Sequence, residues 1–128
     1  VLHAAAGGFK QPLPSHWNGV LFEHWIHHEI KSYMDYNRIA GSLSYWRTQS
    51  GNEIDFLWWY GDEFVAIEVK ASHRFRPEYM KGIRSFSESK KPKSSWIVYL
   101  GDSSLKVDQT HILPVHLFLK KLHLGEIF

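Results

Sequence analysis

The sequence predicts one α/β domain in which a mixed sheet lies between helices. Three observations predict it: an early apolar stripe with helical spacing, a central run of strand-like segments, and a helical segment before a last strand-like segment. A chain of 128 residues is long enough for one core but too short for two. The expected order is helix, three strands, helix, strand, helix, with about four strands in the sheet.

The first predicted helix follows an irregular arm. Residues 1–18 contain two adjacent glycines and two prolines, which predict a linker or arm. From residue 19 to residue 37, apolar residues recur at three- and four-residue spacing, so one face of this helix should face the core. Glu23 lies at the edge of that face, where an acid needs a partner. A first strand is expected at 42–49.

The central segment, residues 54–69, predicts a β-hairpin closed by Gly61-Asp62. Glycine at the first central position suits a type II′ turn, which matches the twist of the strands. The resulting register sets Asp55 opposite Glu68, with Lys70 on the face of Glu68 because strand side chains alternate. Like charges opposed in this way are destabilising, and a divalent cation is the simplest compensation.

The same residues also fit an ordinary solvated hairpin face. In that alternative, Glu53 stands opposite Lys70 as a cross-strand ion pair and the acids have no chemical role. Two features favour a functional site instead. Hydrophobic residues flank Asp55 and Glu68, and a third acid, Glu23, lies on the preceding helix.

The remaining elements are predicted from proline, glycine and β-branched residues. After a loop at 72–76, Pro77 suits the first turn of a second helix that extends to residue 89. Residues 95–100 predict a fourth strand, which Gly101-Asp102 ends. An irregular segment is expected next, and a last helix at 114–124.

Composition narrows the classes of protein to consider. The chain has no cysteine, and no apolar stretch approaches the roughly 20 residues that cross a membrane. We therefore expect no disulfide, no membrane partner and a cytoplasmic location. The chain does not begin with methionine, so we expect either a piece of a longer polypeptide or a processed form. Its oligomeric state is left open.

The net charge of +2 hides a strong asymmetry. Residues 1–69 carry four Lys or Arg against eight Asp or Glu, whereas residues 70–93 carry eight against two. A basic stretch beside an acidic cluster suits a phosphodiester substrate, although a solvated helix face is the alternative. Trp59, which strand alternation places on the same face as Asp55, is a candidate for stacking on an unpaired base. The candidate phosphate contacts are Arg47, Arg74, Arg76, Lys81 and Arg84.

A zinc site is a competing possibility on the first helix. His24 and His28 stand four residues apart, a spacing that can hold zinc, but no third ligand follows in a recognisable pattern. The sequence also lacks a phosphate-binding glycine loop, so ATP hydrolysis by these residues alone is not expected.

Four segments of the chain occur in a recognisable order and spacing: Gly19-Val-Leu-Phe-Glu23, Tyr45-Trp-Arg47, Gly51-Asn-Glu-Ile-Asp-Phe56 and Ala66-Ile-Glu-Val-Lys-Ala-Ser72. Together they resemble the PD-(D/E)XK restriction-endonuclease-like sandwich and, more narrowly, the C-terminal domain of unknown function of predicted bacterial and archaeal AAA+ superfamily ATPases. The resemblance covers about residues 19–100. It implies that residues 19–128 form a nuclease-like domain, a C-terminal fragment of a longer chain whose upstream part is an ATPase module.

The resemblance also implies residue roles. Glu23, Asp55 and Glu68 would bind Mg²⁺ or Mn²⁺, and Lys70 would be the catalytic lysine beside the catalytic acids Asp55 and Glu68. The helix that carries Tyr79 lacks the glutamine of the Gln-x-x-x-Tyr motif found in some nucleases of this superfamily, which disfavours a helicase-associated exonuclease.

Three functional hypotheses follow. The first is a Mg²⁺-dependent nuclease that hydrolyses nucleic-acid phosphodiesters. The second is a regulatory domain that binds nucleic acid or a partner protein without cleaving it. The third is a structural docking domain whose acids pair with Lys70 and Arg47.

Overall fold

The computed structural model describes the backbone of residues 15–128 and the side chains of residues 18–128. Within that range no helix combines the length and the apolar character needed to cross a bilayer. The elements in chain order are α1 (Ser15–Tyr36), β1 (Ser42–Arg47), β2 (Glu53–Tyr60), β3 (Glu63–Lys70), a 3₁₀ helix (Pro77–Met80), α2 (Lys81–Ser87), β4 (Ser94–Tyr99), β5 (Leu105–Val107), β6 (Thr110–Pro114) and α3 (Val115–His123).

The described strands form one sheet in the order β1-β2-β3-β4-β6-β5. Strands β1 to β3 are an antiparallel meander, β3, β4 and β6 run parallel, and β5 returns antiparallel to β6. The 3₁₀ helix and α2 form the crossover from β3 to β4, as a parallel connection requires. The predicted α/β class and mixed sheet are confirmed.

Helices cover both faces of the sheet. One apolar cluster, here the first cluster, joins α1 and α3 to the sheet and includes Ile26, Phe56, Trp58 and Phe118. A second cluster joins α2 and the 3₁₀ helix to the opposite face through Met80, Ile83 and Phe86. Because both faces are buried, the central strands are almost continuously apolar.

The predicted strand count was too low. The segment after Gly101-Asp102, expected to be irregular, contains β5 and β6, so the sheet has six strands rather than about four. The turn between them is Asp108-Gln109, in which both residues have positive φ, 49° and 68°. Such turns usually contain asparagine or glycine, so the sequence carries no hairpin signal here.

Three predicted boundaries also differ from the structure. Helix α1 begins at Ser15, so residues 15–18 of the expected arm are helical, and the rest of that arm lies outside the described residues. The second predicted helix is a 3₁₀ turn followed by α2, which ends at Ser87. Strand β1 ends at Arg47, two residues before the predicted end.

Gly82 fixes α2 against the beginning of β2, so we expect Gly82→Ala to destabilise the domain. A Cβ atom at this position would lie 2.0 Å from the backbone oxygen of Glu53, which only a backbone shift can relieve. The expected loss is on the order of 1 to 3 kcal/mol in free energy of unfolding, measured by urea denaturation. Gly19→Ala on α1 is the control, because its Cβ meets no atom within 4 Å. Equal stability of the two variants would contradict the close approach of α2 to β2.

Candidate active site

The candidate site lies where β2 and β3 part. Their ladder runs from Tyr60 opposite Glu63 to Phe56 opposite Ile67, which confirms the predicted register over this stretch. Gly61 has a φ of 63° and Asp62 does not have a positive φ, as a type II′ turn requires. Beyond Phe56, β2 stays paired with β1, while β3 stays paired with β4 as far as Lys70. The two central strands therefore diverge at the positions of the acids.

Side-chain carboxylates take over the hydrogen bonding at this divergence. The backbone N–H of Asp55 donates to Oε1 of Glu68 at 2.9 Å. The backbone N–H of Val69 donates to Oδ2 of Asp55 at 2.8 Å. Each acid thus binds the backbone of the other acid's strand, and the pair satisfies donors that a continued ladder would otherwise satisfy. The sequence predicted the acids side by side; the structure joins them through reciprocal bonds to the backbone.

A β-bulge in β2 places Asp55 at the site. Between the paired positions on either side, β1 supplies one residue, Tyr45, where β2 supplies two, Asp55 and Phe56. The extra residue breaks strand alternation and redirects side chains, which is a common feature beside functional sites. Because β2 is apolar on both faces, its sequence shows no alternation from which the bulge could be predicted.

The clusters show the same change of face. Leu57 and Ile54 both belong to the second cluster, although uninterrupted alternation would place them on opposite faces. Trp59, predicted to share a face with Asp55, packs with the second cluster instead. Its ring stacks on Phe64 at 4.7 Å between centroids, and its indole N–H donates to Ser44 Oγ at 3.1 Å. Trp59 is therefore a packing residue on one side of the sheet rather than a neighbour of the carboxylates.

Lys70 completes the constellation. Its Nζ lies 3.1 Å from Oε2 of Glu68, and its side chain retains 29% exposure while that of Glu68 retains 2%. The ammonium also lies 5.3 Å from the ring centroid of Tyr79, a cation–π contact that the sequence reasoning missed. The alternative ion pair between Glu53 and Lys70 was wrong, because Glu53 pairs with Arg47 at 3.0 Å.

Burial dominates the electrostatics of the two acids. It raises the pKa of Asp55 to about 6, with the charges of Glu23 and Glu53 adding to the effect and the Val69 N–H and Lys70 opposing it. Burial and the neighbouring Asp55 raise the pKa of Glu68 to about 8, against the opposing effect of Lys70. Burial opposes the charge of Lys70, but the carboxylates of Glu68, Asp55 and Glu53 outweigh it and raise the lysine's pKa. The raised pKa values mean that the two carboxylates bind protons readily, and a metal cation would have to displace those protons.

The third predicted metal ligand stands apart from this pair. Glu23 is half-buried on α1, and its charge reaches Asp55 as one cause of the raised pKa. Across the described part of the chain, no three or more histidine or acidic side chains are arranged to hold a metal ion. The structure therefore brings Asp55, Glu68 and Lys70 together, while Glu23 lies at the edge of the site and its role stays a prediction. His24 and His28 are exposed on α1 and belong to no such group among the described residues.

The predicted phosphate contacts divide into two kinds. Arg47 is engaged by Glu53, and the guanidinium of Arg84 binds Asp108 through Nε at 2.9 Å and through Nη2. The side chains of Arg74, Arg76 and Lys81 are exposed and form no ion pair with other described residues. These three follow β3 in the chain and precede or begin α2.

The chain belongs to a family of domains whose function is unknown. The family model described as Domain of unknown function (DUF4143) matches residues 18–118, which is most of the chain. No curated protein matches the chain. The match includes Glu23, Asp55, Glu68 and Lys70.

Removal of the Asp55 charge should stabilise the metal-free domain at high pH. Since folding raises the pKa of Asp55 from 3.8 to about 6, its contribution to stability is present below pH 3.8 and is lost as the pH rises through about 6. The raised pKa of Glu68 has the same effect: its contribution to stability is present below pH 4.5 and is lost as the pH rises through about 8. We expect Asp55→Asn to raise the free energy of unfolding at pH 8 by on the order of 1 kcal/mol, with no such gain at pH 4.

Urea denaturation at both pH values, with a chelator present, measures this effect. Asp62→Asn, an exposed change in the hairpin turn, is the matched control. A loss of stability at pH 8 would mean that the bond to Val69 and the charge of Lys70 outweigh the burial of Asp55.

Proposed function

We propose that this DUF4143 domain is a nuclease of the PD-(D/E)XK type, which hydrolyses nucleic-acid phosphodiesters with Mg²⁺ or Mn²⁺. Asp55 and Glu68 are the proposed metal ligands, with Glu23 as a further ligand, and Lys70 is the proposed catalytic lysine. The domain is proposed to act beside an AAA+ ATPase module of the same chain.

One observation carries the proposal: a buried carboxylate, a half-buried carboxylate and a lysine converge where two strands part. Glu68 is 2% exposed, and the pKa values of both acids are raised. Buried acids with raised pKa values that cluster with a cation are characteristic of functional sites, because a purely structural core rarely tolerates them. The order of Asp55, Glu68 and Lys70 along the two strands also matches the resemblance stated above.

The donor atoms suit a hard divalent cation. All are carboxylate oxygens, which Mg²⁺ and Mn²⁺ prefer, and Mg²⁺ is commonly held by one or two carboxylates together with waters and substrate phosphate. Oδ1 of Asp55 receives no hydrogen bond from any described residue, so it is available as a ligand. Oε2 of Glu68 is held by Lys70 and would have to be shared.

The chain's own residues would perform the remaining chemistry. A bound Mg²⁺ or Mn²⁺ supplies Lewis-acid polarisation of a phosphoryl oxygen and lowers the pKa of a coordinated water. Lys70 keeps its proton, since the neighbouring carboxylates raise its pKa, and its ammonium can donate to a phosphate oxygen as negative charge develops. Tyr79 restricts the position of that ammonium through its ring.

A second candidate function is a binding or docking domain without hydrolysis. Asp55 and Glu68 already bind backbone N–H groups, and Lys70 already pairs with Glu68. These contacts favour a structural role in closing the end of the hairpin. Metal binding and cleavage separate the two functions.

Cation binding at the carboxylate pair should release protons. At neutral pH the raised pKa values of Asp55 and Glu68 leave the pair partly protonated, and a divalent cation competes with those protons. Calorimetric titration of Mg²⁺ and Mn²⁺ should therefore give a binding enthalpy that depends on the ionisation enthalpy of the buffer. Glu68→Gln should abolish binding, and Glu63→Gln, an exposed change on the same strand, should not. Binding that survives Glu68→Gln would place the cation elsewhere.

Loss of the Lys70 ammonium should abolish cleavage while the fold persists. We expect Lys70→Met to reduce Mn²⁺- or Mg²⁺-dependent cleavage of labelled DNA or RNA by on the order of 100-fold or more, since its ammonium no longer stabilises the developing charge. Lys106→Met, an exposed change on β5, is the matched control, and circular dichroism checks both folds. Unchanged cleavage in Lys70→Met would reject the proposed mechanism, and the absence of cleavage in the unmodified domain would favour the binding function.

A further inference from the structure

A groove lies between α2 and the beginnings of β4 and β6, on the side of the sheet away from α1. Its volume is about 750 Å³, the size of sites that bind small molecules. It is separate from the carboxylate pair. Ser95 of β4 lines the groove, whereas Tyr99, which stands opposite Lys70, lies four residues further along the same strand, on the order of 13 Å away. A ligand held in this groove would therefore occupy a site of its own.

Two hydroxyl groups belong to the floor of this groove. Ser95 and Thr110 stand opposite each other in the ladder between β4 and β6, and they are 6% and 1% exposed. Neither hydroxyl forms a hydrogen bond with another residue in the described part of the chain. Buried hydroxyl groups are ordinarily hydrogen-bonded, so this pair lacks partners that a molecule in the groove can supply.

Apolar side chains form the rest of the floor. Met80 and Ile83 line the groove on the side of the crossover and are 1% and 3% exposed. A ligand that reaches the two hydroxyl groups must therefore pass over an apolar surface. The end that arrives there should be uncharged, because a charged group would lose its hydration without gaining an opposite charge.

Most of the charged groups around the groove are already engaged. The guanidinium of Arg84 is bound by Asp108. The ammonium of Lys93 lies 4.0 Å from a carboxylate oxygen of Glu63 and 3.4 Å from the carbonyl oxygen of Phe128, so it is directed away from the groove. These groups contribute little free charge to a ligand.

Glu88 and Lys91 are the charged groups that the rim offers to a ligand. Both are exposed, and they stand three residues apart at the end of α2 and just beyond it. Neither forms an ion pair with another described residue. One acid and one base at the same part of the rim complement a group that carries both charges, whereas a simple anion or cation would meet a like charge.

We propose that this groove binds a free amino acid with an amide side chain, independently of the proposed nuclease function. The ammonium of the amino acid contacts Glu88, and its carboxylate contacts Lys91. Its methylene groups lie on the apolar part of the floor, and its amide bonds with the hydroxyls of Ser95 and Thr110. An amide suits this pair because it is uncharged and supplies both a donor and an acceptor.

Titration of L-glutamine into the domain, followed by changes in its ¹H–¹⁵N spectrum, tests the site. L-Methionine is the matched ligand, because its side chain has a similar length but lacks the amide. We expect L-methionine to bind about 10-fold more weakly, which corresponds to the loss of two hydrogen bonds. N-acetyl-L-glutamine, which lacks the ammonium, should also bind more weakly than L-glutamine.

Variants of the floor and of the rim separate the two sets of contacts. The double variant Ser95→Ala, Thr110→Val should abolish the preference for L-glutamine over L-methionine. It should keep its fold, because neither hydroxyl has an internal partner to lose. Lys91→Met should weaken the binding of both amino acids alike. Ser104→Ala and Lys106→Met, exposed changes outside the groove, are the controls and should leave both affinities unchanged.

Three results would overturn the site. They are no binding of L-glutamine by the unmodified domain, equal affinities for L-glutamine and L-methionine, and a preference that survives removal of both hydroxyls. The first result would mean that water alone is the partner of the hydroxyl groups. Urea unfolding curves check the fold of each variant, and Ser95→Ala alone replaces the double variant if that variant unfolds. None of these measurements depends on cleavage, so the outcome does not depend on the proposed nuclease function.

Discussion

The reciprocal bonds between Asp55, Glu68 and the facing backbones are the interaction on which the site depends. They allow β2 and β3 to part without leaving buried N–H groups unpaired, because each carboxylate accepts from the other strand. The same bonds fix the rotamers of both acids. The carboxylate of Glu68 is thereby held where it pairs with the ammonium of Lys70. Strand divergence, acid placement and lysine placement are therefore one structural feature rather than three.

The two helical layers meet this feature from opposite sides. On one side α1 packs through the first cluster and brings the charge of Glu23 toward Asp55. On the other side Gly82 lets α2 approach the backbone of Glu53, and the 3₁₀ helix places Tyr79 beside Lys70. The basic segment that follows β3 is thus held next to the acidic strands. The charge asymmetry of the sequence becomes a spatial contrast at one end of the sheet.

Local rules predicted the hairpin, and long-range packing determined what they missed. The Gly61-Asp62 turn and the strands around it specify a register that the structure reproduces as far as Phe56 opposite Ile67. The bulge at Asp55 was not predictable, because both faces of β2 are apolar and alternation carries no signal there. Strands β5 and β6 were missed because their turn has no glycine or asparagine. Strand alternation placed Lys70 on the face of Glu68, but its contact with Tyr79 depends on how the crossover packs, which no local pattern encodes.

Burying the carboxylate pair costs stability that an apolar closure of the two strands would not cost. A continued backbone ladder with apolar side chains would close β2 on β3 without burying charge, and buried ionic groups are often replaceable by hydrophobic ones with no loss of stability. Burial instead raises the pKa values of Asp55 and Glu68, so the metal-free fold loses stability as the pH rises toward 8. Lys70 relieves only part of this cost, since the pKa of Glu68 is raised despite the ion pair. A divalent cation between the strands would relieve more of it, so the burial that raises these pKa values would also strengthen the binding of such a cation.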